Sequence, residues 1–274
     1  MRKTKLNVLG MILCFLWLLG ANVLHAQDMA HGAYDGDKDK LHVYLLIGQS
    51  NMAGRAPFTE KESGPIERCY LLNAQDKWES AKNPLNRHST IRKGLGMQQM
   101  NPGYSFSKSM LEKDKGIFLG LVVNAKGGSS IKSWAKGSKF YNEALRRTKA
   151  AQKTGTLKGI LWHQGEANSN NPVGYLDKLK ALVENLRNDL DSPNLPFVAG
   201  QINNFKEIND QIAKLPKTVP FTAFASSEGL QAMAMDRWHF DAKSMKLLGQ
   251  RYAEEMLKVQ TKLRAEQKNT PDKK

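Results

Sequence analysis

The sequence predicts an α/β domain, a mostly parallel sheet with helices on both faces. Three observations predict it. Apolar runs of five to seven residues, rich in β-branched and aromatic side chains, recur along the chain. Amphipathic stretches of helical spacing separate them. Polar segments follow several of the runs, where a parallel sheet carries its ligand-binding loops.

The elements follow in order. Leu41–Ile47 has the length and content of a strand buried on both faces. The segment Arg55–Gln99 is long, polar and marked by Gly and Pro, as the wall of a site often is, with a short strand candidate at Arg68–Leu72. Further strands are expected at Ile117–Val123, Leu157–Trp162, Phe197–Ile202 and Phe221–Ala225. Helical spacing runs over Tyr104–Lys113, Lys139–Gln152, Val173–Leu190 and Ile208–Leu215, and a last amphipathic helix over Ala242–Leu263. No internal repeat interrupts this alternation. Residues 27–265 read as one domain, and residues 266–274 as a Lys-rich flexible tail.

The N-terminus reads differently. Arg2, Lys3 and Lys5 precede the apolar stretch Val8–Leu19, which is short for a membrane span, and the small residue Ala26 precedes Gln27. This pattern predicts a signal peptide over residues 1–26 and an exported protein, periplasmic or secreted. Leu13 is not the small residue that a lipid anchor at Cys14 requires, so no stable membrane insertion is expected after cleavage. Cys69 would then be alone, and the exported chain would have no internal disulfide.

Lys and Arg number 41 against 26 Asp and Glu, a formal net charge of +15. The cations are scattered and no nucleic-acid-binding motif accompanies them, so the basic surface reads as solvated and no nucleic-acid partner is expected. An acidic glycan is the weaker alternative. No His or Cys pair stands at metal-ligand spacing, so neither a metal nor another cofactor is expected.

Four polar constellations fall at predicted strand ends. Gly48-Gln49-Ser50-Asn51-Met52 follows the first strand and offers a hydroxyl nucleophile between two amides. It is not a G-x-S-x-G elbow, since Met52 stands where the last Gly would be. Asn124-Ala-Lys-Gly127-Gly128-Ser129 follows the next long strand, and paired glycines let backbone N–H groups approach a ligand. Trp162-His163-Gln164-Gly165-Glu166 follows a third, with an amide that could face a developing oxyanion and a carboxylate that could bind a hydroxyl or orient a loop. Asp236-Arg237-Trp238-His239-Phe240 precedes the last helix, and an Asp three residues before a His can fold back onto the ring nitrogen that a Ser-activating imidazole does not use.

Together these four blocks resemble the SGNH/GDSL hydrolase superfamily. More narrowly they resemble its sialate O-acetylesterase and acetylxylan esterase branch, of the carbohydrate esterase family 6 type. The resemblance runs in order from about Lys40 to Leu257 and includes Leu248-Gly-Gln-Arg-Tyr-Ala-Glu-Glu255. It implies a three-layer α/β/α sandwich and removal of acetyl groups from sugar hydroxyls without a cofactor. Ser50 would be the nucleophile, His239 the base and Asp236 the orienting acid. The Ser50 N–H, an N–H of Gly127 or Gly128 and the Gln164 side chain would form the oxyanion hole. Gln49, Asn51, His163 and Glu166 are candidates for binding the substrate, an acetylated oligo- or polysaccharide. Two other readings stay open: a glycan-binding module without turnover, and an esterase for longer acyl chains.

Overall fold

The computed structural model describes residues 34–234 and 236–269. The expected signal peptide and the last residues of the expected tail lie outside them.

Seven strands form the central sheet: β1 (Leu41–Gly48), β2 (Cys69–Leu72), β3 (Trp78–Ser80), β4 (Phe118–Val123), β5 (Thr156–His163), β6 (Phe197–Gly200) and β7 (Thr222–Ala225). Their order is β3-β2-β4-β1-β5-β6-β7. All pairs are parallel except β2–β3. A single helical turn, α1 (Ser50–Ala53), follows β1. The longer helices are α2 (Gly103–Lys113), α3 (Lys139–Ala151), α4 (Tyr175–Asp189), α5 (Lys206–Thr218) and α6 (Ala242–Asn269). Between β7 and α6 lies a separate hairpin, β8 (Ala232–Met233) with β9 (Asp236–Phe240).

The period of two along each strand divides the core. On β1, Tyr44 and Leu46 face one apolar cluster, with Phe106 and Met110 of α2 and Leu248, Tyr252 and Met256 of α6. Val43, Leu45 and Ile47 face the other, with Tyr141 of α3, Leu179 and Leu186 of α4, and Ile208 and Ile212 of α5. This is the three-layer α/β/α arrangement, and it explains why β1 reads as an unbroken apolar run rather than an alternating one. α3 opens where the Ser138 side chain accepts the Tyr141 N–H.

Four features depart from the sequence reading. β3 has three residues, too few to carry a pattern. α5 continues through Pro216 to Thr218 instead of stopping at Leu215, although Pro216 has no N–H for the carbonyl four residues back. The segment before the last helix is the β8–β9 hairpin. The last helix runs to Asn269, past Glu266, where the flexible tail was expected to begin.

β1, β4 and β5 are neighbours at the middle of the sheet, so the loops that follow them converge at one edge. The convergence depends on Gly48, whose φ of +140° suits glycine, and whose α-carbon lies against β5. A methyl group there would stand 2.0 Å from the His163 carbonyl oxygen. Gly48→Ala is therefore expected to destabilise the protein by about 3 kcal/mol or more, measured by chemical denaturation. A loss under about 1 kcal/mol would show that the strand ends can separate cheaply.

Candidate active site

Ser50 opens α1, a turn closed by Ala53 N–H to the Gln49 carbonyl at 2.7 Å and Gly54 N–H to the Ser50 carbonyl at 3.0 Å. Its Oγ lies 2.8 Å from His239 Nε2, across a sequence separation of 189 residues. His239 stands on β9. Its Nδ1 hydrogen-bonds Asp236 Oδ2, while Asp236 Oδ1 accepts the N–H groups of Trp238 at 2.8 Å and His239 at 3.2 Å. Partial burial pushes the Asp236 carboxyl up, but bonds from the His239 ring and the Trp238 N–H outweigh it and hold Asp236 below the usual carboxylate range. An ionised Asp236 keeps the proton on Nδ1 and leaves Nε2 as the acceptor facing the Ser50 hydroxyl.

Gly127 and Gly128 lie beside Ser50. A side chain at 127 would come within 3.8 Å of Ser50 Cβ. The turn is closed by Lys126 N–H to the Gly48 carbonyl at 3.0 Å and Ser129 N–H to the Lys126 carbonyl at 3.3 Å. Among the described residues, the N–H groups of Gly127 and Gly128 meet no acceptor within the protein.

The other predicted residues face inward. Gln164 is fully buried, and its Nε2 donates toward Asn168 Oδ1 at 2.7 Å and toward Gln49 Oε1 and the Ser129 carbonyl, both at 3.1 Å. Two hydrogens already meet three acceptors, so Gln164 offers no free N–H to an oxyanion as arranged here; it ties together the loops after β1, β4 and β5. Gln49 Oε1 also accepts the Gly165 and Ala167 N–H groups, which makes it part of the same brace.

His163 is fully buried and turns toward Tyr252. The Tyr252 hydroxyl donates to the Trp162 carbonyl at 2.6 Å, so its oxygen accepts from His163 Nδ1 at 3.1 Å. Burial pulls the His163 pKa down to about 3 and keeps the ring neutral. Asn51 is also fully buried, and it bonds the hairpin and Glu166 rather than open space. Glu166 Oε1 accepts Asn51 Nδ2 at 2.7 Å and lies 3.8 Å from His163 Nε2, outside hydrogen-bond range. Burial pushes the Glu166 pKa up to about 7. A strand-end position brings these side chains to the site but does not say which way they turn.

The geometry adds residues that the sequence reading passed over. Arg55 leaves the Ser50 turn and donates through Nη1 to the Gly54 carbonyl at 2.6 Å and the Met97 carbonyl at 2.9 Å. Its Nη2 would stand 2.8 Å from a side chain at Gly127, and no carboxylate pairs with it among the described residues. Burial lowers the Arg55 pKa, and the charge of Asp236 resists that shift. Lys93 Nζ would stand 3.7 Å from a side chain at Gly128. The Trp238 ring stacks on Phe205 at 4.8 Å, with the Arg237 guanidinium 4.9 Å from its centroid. Asn203 donates to the Arg237 carbonyl at 2.7 Å. A usable signal did exist in the loop that carries Lys93 and in the one that carries the Gly127–Gly128 pair. Residues 81–102 and 124–138 hold seven Lys and Arg and no Asp or Glu.

Residues 40–258 match a family described as carbohydrate esterase, sialic acid-specific acetylesterase. A probable carbohydrate esterase of Arabidopsis thaliana is 33% identical over 177 residues, which span 57% of this chain and 66% of that relative, just under two thirds. The crystal structure of that plant protein aligns with a TM-score of 0.71 at 27% identity, covering 80% of this chain and 98% of the other. The crystal structure of NanS aligns with a TM-score of 0.65 at 15% identity, covering 83% and 99%. A carbohydrate acetylesterase from Xanthomonas citri aligns at 0.58 and 18% identity, covering 81% and 57%. At the identities of these last two, the likeness is one of fold.

Glu166 generates a prediction about stability. Because its pKa is raised to about 7 in the folded protein, its contribution is fully present below the unfolded value of 4.5 and is lost as pH rises through about 7. Glu166→Gln keeps the acceptor for Asn51 and removes the ionisation. The stability difference between wild type and variant is expected to move by about 3 kcal/mol in the variant's favour between pH 4 and pH 8, read from denaturation at each pH. A difference that stays level with pH would mean that Glu166 ionises at its ordinary value.

Proposed function

This chain belongs to the sialic acid-specific acetylesterase family of carbohydrate esterases, and we propose that it removes acetyl groups from sugar hydroxyls by serine catalysis. One observation carries the proposal: Ser50 Oγ, the His239 ring and Asp236 form an unbroken hydrogen-bonded chain at the edge of the sheet. Ser50 Oγ attacks the acetyl carbonyl carbon and passes its proton to His239 Nε2. The resulting oxyanion is met by the N–H of Ser50 and an N–H from the Gly127–Gly128 pair, which have no acceptor within the described residues. The bond to the sugar oxygen then breaks, and the imidazolium protonates the departing alkoxide. Water attacks the acetyl-Ser50 ester, His239 takes its proton, and acetate leaves as the proton returns to Ser50 Oγ. Gln164 supports this hole by holding the three loops together.

The cations at the Gly127–Gly128 turn favour an acidic sugar over a neutral one. Arg55 is half-buried with no carboxylate partner among the described residues, a costly state that a substrate anion would relieve. Lys93 stands beside it at the same turn. The intact Ser50–His239 pair disfavours a glycan-binding module without turnover. Export is proposed from the basic and apolar N-terminal segment; no helix among the described residues is long and apolar enough to cross a membrane.

Acetate release from O-acetylated acidic and neutral sugars tests the assignment. Ser50→Ala is expected to lower turnover by about 10⁶ with an unchanged melting curve, and activity above roughly a tenth of wild type would remove Ser50 as the nucleophile. Arg55→Ala and Lys93→Ala are each expected to raise KM for an O-acetylated acidic sugar by roughly tenfold while leaving a neutral aryl acetate within about threefold. Equal losses on both substrates would reduce the two cations to a structural role.

A further inference from the structure

We propose that Asn51 is the positioning residue for the catalytic base: its side chain grips β9 on both sides of His239 and so sets the Ser50–His239 contact. The inference rests on the Ser50–His239 reading given above.

The hairpin that carries His239 is a two-stranded sheet of its own, outside the seven-stranded one. No ladder of the central sheet fixes where β9 stands relative to Ser50, so side chains must. Asn51 Nδ2 donates to the Trp238 carbonyl at 3.1 Å, and Asn51 Oδ1 accepts the Phe240 N–H at 3.2 Å. Those two groups flank His239 and point the same way from an extended backbone. One amide thus bonds the strand as a neighbouring strand would. Asn203 bonds the hairpin too, at the Arg237 carbonyl, but it does not bracket His239.

The orientation of the Asn51 amide follows from its partners. Nδ2 also donates to Glu166 Oε1 at 2.7 Å. Turned over, the amide would set its oxygen against a carboxylate and a carbonyl, and its NH₂ against an N–H. Glu166 therefore holds Asn51, and Asn51 holds β9. Asn51, Glu166 and Phe240 are buried and Trp238 is half-buried, so water competes little for the bonds. Consecutive residues divide the work: Ser50 meets the ring of His239, and Asn51 meets the backbone on either side of it.

The test uses the full chain and a neutral aryl acetate, so that recognition of a sugar plays no part. It measures kcat, KM, the rate at which a fluorophosphonate labels Ser50, and the melting curve, with Ser50→Ala as control. Asn51→Ala is expected to lower kcat by about 10²-fold with KM within about threefold, as a misplaced base would, and to slow Ser50 labelling by the same factor. Asn51→Asp has the same shape and keeps the acceptor for the Phe240 N–H. It places an oxygen against Glu166 and the Trp238 carbonyl, and is expected to lose at least as much. Adding Glu166→Gln supplies a donor to that oxygen and is expected to recover roughly tenfold of the loss. A purely structural role would lower the melting temperature and the folded fraction without this partial rescue.

The proposal is overturned if Asn51→Ala keeps kcat within about threefold of wild type, or if its loss matches the fraction of unfolded protein. If Asn51→Ala does not fold, the Asp variant with and without Glu166→Gln decides: wild-type kcat in the single variant, or no recovery in the double one, overturns it. Failure of the esterase reading looks different, since wild type would then hydrolyse nothing or be labelled as fast as Ser50→Ala.

Discussion

At the end of β1 the Gly48 α-carbon is packed against the backbone of His163, and the Gln49 N–H donates to the His163 carbonyl at 2.8 Å. Two central strands are thereby held at main-chain distance at the point where both turn into loops. The loop after β4 joins them through Lys126 N–H and the Gly48 carbonyl. Ser50, Gly127 and Gln164 take their places from these backbone bonds before any side chain contributes. The nucleophilic role proposed for Ser50 needs that rigidity, because small errors in placement are expensive in rate.

The site also carries a thermodynamic burden. His163 Nε2, Gln164 Oε1 and Glu166 Oε2 are buried without a hydrogen-bond partner, the first at the end of β5 and the other two in the loop that leaves it. Each such atom costs on the order of 1–3 kcal/mol. The two apolar clusters flanking the sheet offset this, with β1, β4, β5 and β6 shared between them. Polar residues that brace one another in place of water keep the loops stiff, and a low dielectric strengthens each bond that is made.

How much of this was legible in the sequence depended on what each residue had to do. The central strands were legible because burial on both faces makes them continuous apolar runs, and the meeting of Ser50 with the Asp236-x-x-His239 pair because four polar blocks fall together at strand ends, none of them specific alone. Strand β3 and the β8–β9 hairpin were not, since two to five residues cannot establish a period. The directions of Gln49, Asn51, His163, Gln164 and Glu166 were hidden for another reason. Whether a polar side chain at a strand end faces the cleft or a neighbouring loop depends on partners far along the chain, such as the 115 residues between Gln49 and Gln164. Arg55 and Lys93 lay in a loop whose path no local pattern predicts.

The proposed base and its acid occupy one short strand, His239 with Asp236 only three residues away, on a hairpin outside the main sheet. The proton relay proposed above thus travels as one cassette, while its proposed nucleophile, Ser50, belongs to the scaffold. The segment 226–231 that leads into the cassette is tied to the body on its own account, by Arg251 Nη1 donating to the Ser226 and Glu228 carbonyls at 2.7 and 2.8 Å and by Ser227 Oγ donating to the Ile202 carbonyl at 3.0 Å, so the hairpin is held at its root as well as at its tip. Recombination that exchanged this hairpin between relatives would carry acid and base together and break no pairing between them.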